Sequence, residues 1–220
     1  MSRISIELDD PTNSMTVETD KGVDTHVYES VCKVRWSVGR SQKTRYTFDE
    51  YSHHYLLSVN AQPVAGLTVT RLMDGPIDCQ EHYPLEMLVR FRDLIGSACK
   101  LCIDQRRSPS KSLGRSASRL LVRAAIGHQV ELGMRLDLIN LVPAMVPYYR
   151  RLGYRLIEAS DFVHPSLGTA SKVMWLAADP DTRSVHQDLF QVITNPLPSA
   201  SVESVLRAGG YQQFERGVSV

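Results

Sequence analysis

The segment from Lys100 to Val142 constrains the fold more than any other part of the chain. It opens on the end of an apolar stretch with strand character, Ala98 to Ile103, and passes into Q-R-R-S-P-S-K-S-L-G-R-S, a loop punctuated by Ser, Pro and Gly. From about Arg115 or Ser116 the apolar residues Leu120, Leu121, Ala124, Ala125 and Val130 recur at helical spacing, with Gly133 as a C-terminal stop. L-D-L-I-N-L-V, Leu136 to Val142, then reads as a buried strand interrupted at Pro143. A strand, loop, helix and strand in this order leave unpaired backbone N–H groups at the helix N-terminus, where an anion is stabilised. Gly114 would let the backbone approach a phosphate closely. Between Gln105 and Arg123 stand Arg106, Arg107, Lys111, Arg115, Arg119 and Arg123, with no acidic side chain among them. The spacing is neither a Walker loop nor a dinucleotide fingerprint, so alone it fits an anion site or a solvated basic surface equally.

The remaining segments complete a mixed pattern. A polar stretch to about residue 25 carries one possible strand near Ser14–Glu18, and a helix follows over Val27–Val38. H-H-Y-L-L-S-V and V-A-G-L-T-V-T-R-L, joined by Asn60-Ala61-Gln62-Pro63, form a hairpin across His53–Leu72. Gly75–Tyr83 is irregular, and Leu85–Leu94 has the apolar spacing of a helix. After Leu136–Val142 come a short helix through Tyr148–Arg151 ending at Gly153, an extended Y-R-L-I-E, and the strand V-M-W-L-A-A. A possible amphipathic helix at Val185–Ile193 precedes a tail rich in Pro, Ser and Gly. This order predicts an α/β (α+β) domain, a mixed central sheet covered by helices. Residues 26–180 form its body, residues 1–25 a polar lead or first strand, and residues 181–220 a helical extension and tail.

Bulk properties exclude several function classes. A formal net charge of +1 over 220 residues gives no bulk field to draw a nucleic acid. No apolar run approaches a bilayer span and no basic-then-apolar leader opens the chain, so no membrane partner is expected and a cytoplasmic location is the default. Four cysteines do not make a disulfide framework at this length. Cys99 and Cys102 lack a matching pair for zinc, and neighbouring His53 and His54 would face opposite sides of a strand, so no metal site is expected.

Two motifs carry a resemblance. K-S-L-G-R-S and, further on, N-L-V-P-A-M-V-P-Y-Y-R-R-L-G-Y-R resemble the Gcn5-related N-acetyltransferase superfamily, in the right order and at the right separation, over roughly Tyr51 to Ala178. The family's donor loop is usually Arg or Gln, two residues, Gly, one residue, then Gly or Ala. Here Lys111 and Ser116 depart from the outer positions and Gly114 keeps the central one. The resemblance implies a mostly antiparallel sheet with a splayed strand pair. Lys111, Leu113, Gly114, Arg115 and Ser116 would hold the donor's phosphates. The edge Leu138–Leu141, with Asn140 and Leu141 where the cleft opens, would pair with the donor's pantetheine arm. The co-substrate would be an acyl thioester, with no tightly bound cofactor.

Aminolysis of a thioester builds an oxyanion and expels a thiolate, so a phenolic proton near sulfur helps the leaving group. Tyr149, four residues before Gly153, occupies the place of the family's tyrosine and is the expected general acid. Tyr148 is expected to pack. An ammonium acceptor must also lose a proton. Glu86 is the expected base, with His53, His54 and Glu81 as other candidates.

A narrower resemblance, to acyl-homoserine-lactone synthases and long-chain N-acyl amino acid synthases, rests on Asp49, Tyr55-Leu56-Leu57, Val64-Ala65-Gly66 and Arg71-Leu72. Those branches commonly take the acyl group from acyl carrier protein. An acidic carrier would suit the Arg115, Arg119 and Arg123 face, although coenzyme A phosphates would suit the same charges. The expected partners are acyl carrier protein and a small-molecule amine in specialised-metabolite biosynthesis. A coenzyme A-dependent N-acetyltransferase and a catalytically silent donor-binding domain are the alternatives. The oligomeric state stays open between monomer and homodimer.

Overall fold

The computed structural model describes residues 2–5, 14–38, 45–107, 111–181 and 184–211. In chain order its strands are β1 (Ser2–Ser5), β2 (Met15–Lys21), β3 (Ser52–Val59), β4 (Gln62–Arg71), β5 (Ile95–Ile103), β6 (Leu136–Leu141), β7 (Arg155–Leu156), β8 (Phe162–Val163) and β9 (Ala170–Ala177). Its helices are α1 (His26–Ser37), α2 (Leu85–Arg90), α3 (Lys111–Glu131), α4 (Val146–Arg151), α5 (Gln187–Gln191) and α6 (Ser199–Ala208). The sheet runs β1-β2-β3-β4-β5-β6-β9-β7, with β8 pairing β9 off this path. It is mixed and mostly antiparallel, as the pattern predicts; the one parallel register described is that of β5 with β6. The chain divides into two compact units, residues 1–70 with 98–128 and residues 71–97 with 129–220.

In the first unit, Asn60 and Ala61 take left-handed conformations (φ 50° and 62°), which make the tight turn between β3 and β4. Both strands are buried over most of their length, so their apolar residues form a nearly continuous run rather than an alternation. Thr25 caps α1, its hydroxyl oxygen accepting the Tyr28 N–H at 3.1 Å. Val27, Val31 and Val34 of α1 then pack with Leu56 and Cys102. Gly66 makes that approach possible: a Cβ there would lie 3.1 Å from Val31 Cγ1. Within β5, Lys100 has φ 56°, a left-handed residue inside a strand, as at a bulge.

The second unit is built on β6, whose whole length pairs antiparallel with β9, from Leu136↔Ala177 to Leu141↔Lys172. Leu136, Leu138 and Trp175 meet Met87 of α2 and Val202 and Leu206 of α6 in its core. The helix α6 was not apparent in the sequence, which shows only a Pro-, Ser- and Gly-containing tail. Its Val202 and Leu206 are fully buried, contributing roughly 1.5–3 kcal/mol each. The helix expected at Leu85–Leu94 stops at Arg90 and continues as a 3-10 turn over Arg92–Leu94, while the one expected at Val185–Ile193 is the shorter α5. Among the described residues, no helix is long and apolar enough to cross a membrane.

Candidate active site

The long helix α3 begins at Lys111, about one turn earlier than expected. Gly114 therefore sits in its first turn, not in a loop. Gly inside a helix costs only about 1 kcal/mol relative to Ala, which the buried face of a 21-residue helix can absorb. The first-turn N–H groups now belong to Lys111, Leu113 and their neighbours; the side chains of residues 111–115 lie outside the described ones. Ser116 and Arg119 are exposed and Arg123 is half-buried. Asp104, which closes β5, holds the first two arginines of the basic segment, with Arg106 Nε at 3.2 Å and Arg107 Nε at 3.3 Å.

In the second unit the β5–β6 ladder contains two pairs, Ile95↔Leu136 and Gly96↔Asp137. Beyond them β6 continues through Leu138, Ile139, Asn140 and Leu141, paired on its β9 side alone. This leaves backbone N–H and C=O groups along one edge, in the four residues where the sequence places the pantetheine contact.

Tyr149 lies on α4. Two prolines, Pro143 and Pro147, start this short helical region, and Gly153 (φ 98°) ends it with a left-handed residue. The Tyr149 ring is half-buried and stands perpendicular to those of Tyr148 and Tyr154, at 5.1 and 5.3 Å between centroids. The Tyr154 hydroxyl donates to the Asp137 carboxylate. Burial, and then the Asp137 charge, hold the Tyr154 proton far more tightly than in a free phenol, so Tyr154 is a poor acid. Glu86 is exposed on α2, with its carboxylate at the end of α6, where a Cβ on Gly209 would meet it at 2.7 Å. His54 is fully buried, His53 is half-buried, and Glu81 is exposed.

Asn140 brings together residues that no sequence pattern connects. Its Nδ2 donates to the Asp78 carbonyl oxygen at 3.4 Å and to the Tyr83 hydroxyl at 3.2 Å. Tyr83 lies 3.4 Å from Ser97 Oγ, and Ser97 directly follows the last β5 residue paired with β6. His164 Nε2 lies 3.6 Å from the Asp78 carboxylate, and Cys79 Sγ lies 3.8 Å from it. Asp78 and Cys79 come from the irregular Gly75–Tyr83 stretch and His164 from the turn after β8, so only tertiary folding could reveal the cluster.

Asp78, Cys79 and His164 offer atoms within 4.8 Å of one another, as a metal ligand set would. The hydrogen bonding argues otherwise. Ser166 N–H donates to His164 Nδ1 at 3.2 Å, so neutral His164 carries its proton on Nε2, the nitrogen facing Asp78. A metal at Nε2 would need that proton gone and no proton on Nδ1 either. The residues fit a hydrogen-bonded cluster and do not fit a metal centre.

No family model matches the chain, and no curated protein matches it. Solved structures do. The fold is that of the Gcn5-related N-acyltransferases. FeeM, an N-acyl amino acid synthase from uncultured soil microbes, is 12% identical, with a TM-score of 0.57 over 76% of this chain and 92% of its own. BjaI, a coenzyme A-dependent acyl-homoserine lactone synthase solved with SAM and isopentyl-CoA, is 14% identical, with a TM-score of 0.55 over 81% and 88%. A putative N-acetyltransferase from Lactobacillus plantarum is 15% identical, with a TM-score of 0.54 over 74% and 97%. At such identities the likeness is one of fold.

Proposed function

We propose that this chain is an N-acyltransferase that moves an acyl group from a phosphopantetheine thioester to the amine of a small molecule. The observation that carries this reading is the edge of β6 from Leu138 to Leu141, where the ladder to β5 has stopped. A pantetheine arm carries two amide groups in an extended chain and can add to such an edge as a further strand. The N-terminal turn of α3, with Lys111, Leu113, Gly114, Arg115 and Ser116, would supply N–H groups and positive charge for the donor's phosphates. Tyr149 would protonate the departing sulfur, since it is the less buried of two neighbouring tyrosines and the other spends its hydroxyl on Asp137. Glu86 has the right chemistry for a base, but a base must also reach the acceptor nitrogen, and the neighbour found for Glu86 is Gly209.

Acyl carrier protein is our preferred donor, in a specialised-metabolite pathway, because the exposed Arg119 and the Asp49–Leu72 motifs favour an acidic carrier. The second reading is direct use of acyl-coenzyme A, favoured by the coenzyme A dependence of BjaI. Full-length protein is to be incubated with matched octanoyl thioesters of each donor and a panel of small amines, and amide products detected by mass. Amide from the carrier thioester in excess of that from coenzyme A supports the reading. Donor binding without any amide would reduce the chain to a silent donor-binding domain.

A further inference from the structure

Asn140 has a fixed orientation. A backbone carbonyl can only accept a hydrogen bond, so the Asp78 carbonyl requires the NH2 end of the Asn140 amide to face it. The second N–H goes to Tyr83. Asn140 Oδ1 is thereby turned away from both and has no hydrogen-bond partner among the described residues. Tyr83, accepting from Asn140, directs its own proton toward Ser97 Oγ. Burial, reinforced by the nearby Asp78 charge, raises its pKa, so the phenol keeps that proton.

Asp78 supplies the charge. It is nine-tenths buried, and a buried carboxylate is costly unless a cation balances it. His164 does not fill that role: a proton on its Nδ1 would oppose the Ser166 N–H that already points there. An oriented acceptor oxygen and a negative charge thus lie at the Asn140 end of β6, and the same residue's backbone belongs to the unpaired edge.

We propose that Asn140 and Asp78 form the subsite for the acceptor's ammonium group, and hence that the acceptor is a primary amine bound as a cation. The word acceptor rests on the acyltransferase reading above. In that reading the ammonium donates one N–H to Asn140 Oδ1 and passes one proton to the Asp78 carboxylate. The neutral amine then attacks the thioester carbon, the new C–N bond forms and the C–S bond breaks. Tyr149 gives its proton to sulfur and is reprotonated from the attacking nitrogen. A hydroxyl acceptor could meet Asn140 but would leave Asp78 unbalanced, so the subsite selects amine over alcohol.

The probes are matched pairs, benzylamine with benzyl alcohol, cyclohexylamine with cyclohexanol, and hexylamine with hexanol. Their binding to the full chain is to be measured by ligand-observed NMR, with coenzyme A and carrier-protein binding followed separately. Tighter binding of the amine in at least one pair is expected. Asn140→Leu, which keeps the side-chain volume, should weaken that amine roughly tenfold, the loss of one hydrogen bond to a charged group. Asp78→Asn should abolish the preference over alcohol. Thermal unfolding checks both variants, and if Asp78→Asn does not fold, Asn140→Leu decides. No preference for any amine, or a preference that Asn140→Leu leaves intact, overturns the subsite whether or not a donor binds. Amine preference lost in the variants, with neither donor binding, upholds the subsite and overturns the donor reading instead.

Discussion

Arg35 grips Asp49 with both terminal nitrogens, Nη1 to Oδ2 at 2.9 Å and Nη2 to Oδ1 at 3.2 Å, and neither side chain is more than 5% exposed. Tyr28 Oη and Tyr46 N–H also donate to Asp49 Oδ2, at 3.1 and 2.9 Å. Burial alone would loosen the guanidinium's hold on its proton, and the Asp49 hydrogen bonds more than reverse that. Asp49 thus anchors α1 to the turn before β3. Asp49→Ala should destabilise the protein by about 3–5 kcal/mol, because it leaves a buried guanidinium without its counter-charge. A urea midpoint equivalent to less than ~1 kcal/mol of loss would show that Asp49 does not anchor the unit.

The same network makes stability depend on pH. His54 Nε2 donates to the Asp49 carbonyl oxygen at 3.0 Å, and its Nδ1 lies 3.1 Å from Thr68 Oγ1, which accepts from Arg35. This leaves His54 neutral, and burial lowers its pKa from 6.5 to about 4. The unfolded chain therefore binds the extra proton first as pH falls. The stabilisation is fully present above pH ~6.5 and is lost progressively toward pH ~4, amounting to roughly 3 kcal/mol. Urea unfolding between pH 7 and pH 4 should show that slope, and His54→Gln should remove it. An identical slope in the variant assigns the loss to other groups.

Gly114 stands in the first turn of α3, where valine is no worse a helix residue than glycine. Gly114→Val should leave thermal unfolding within ~0.5 kcal/mol of the parent and weaken coenzyme A binding about tenfold by obstructing the phosphate. Calorimetric titration of both proteins checks this. Unchanged affinity removes the α3 terminus from the donor site.

The strand and helix order was legible because apolar periodicity is local. So was the end of α4, which only needs Pro143, Pro147 and Gly153. The start of α3 was not, because K-S-L-G-R-S satisfies loop and helix alike and the remainder of a long helix decides. The helix α6 hid for a different reason: its polar residues signal a tail, and only contact with α2 makes Val202 and Leu206 core. At the site, Tyr149 and the β6 edge sit inside contiguous motifs and could be named. Asp78, Tyr83, Ser97 and His164 could not, since they come from four separate segments and meet through Asn140 or Asp78.

Tyr149 and Tyr154 separate chemistry from architecture. Tyr149→Phe keeps the ring and removes the proton, so single-turnover acyl transfer should slow by ~10²-fold with little change in unfolding. Tyr154→Phe removes a donor to the buried Asp137 carboxylate, which should cost about 1–3 kcal/mol of stability. Rapid-quench rates and urea unfolding on both variants distinguish them. An unaltered chemical step in folded Tyr149→Phe transfers the proton donation to water or another group.

Charge on α3 decides between the two donors. Arg106 and Arg107 are held by Asp104, so they are less available to a partner than the run of basic residues suggests. Arg119 is exposed and lies beyond the first turn of α3, clear of the proposed path of the phosphates. A carrier protein offers a broad acidic surface that such a residue can steer, whereas coenzyme A concentrates its charge in its phosphates. Arg119→Glu should therefore lower kcat/KM for the carrier thioester several-fold and leave that for the coenzyme A thioester within about twofold. The carrier reaction of the parent should also weaken as salt rises, because exposed charges are screened over about 8 Å at physiological ionic strength. Both effects are read from initial rates with each donor at low and high salt. Equal losses for the two donors, or use of coenzyme A alone, would defeat the carrier preference, and the acyltransferase reading would then rest on the β6 edge and Tyr149.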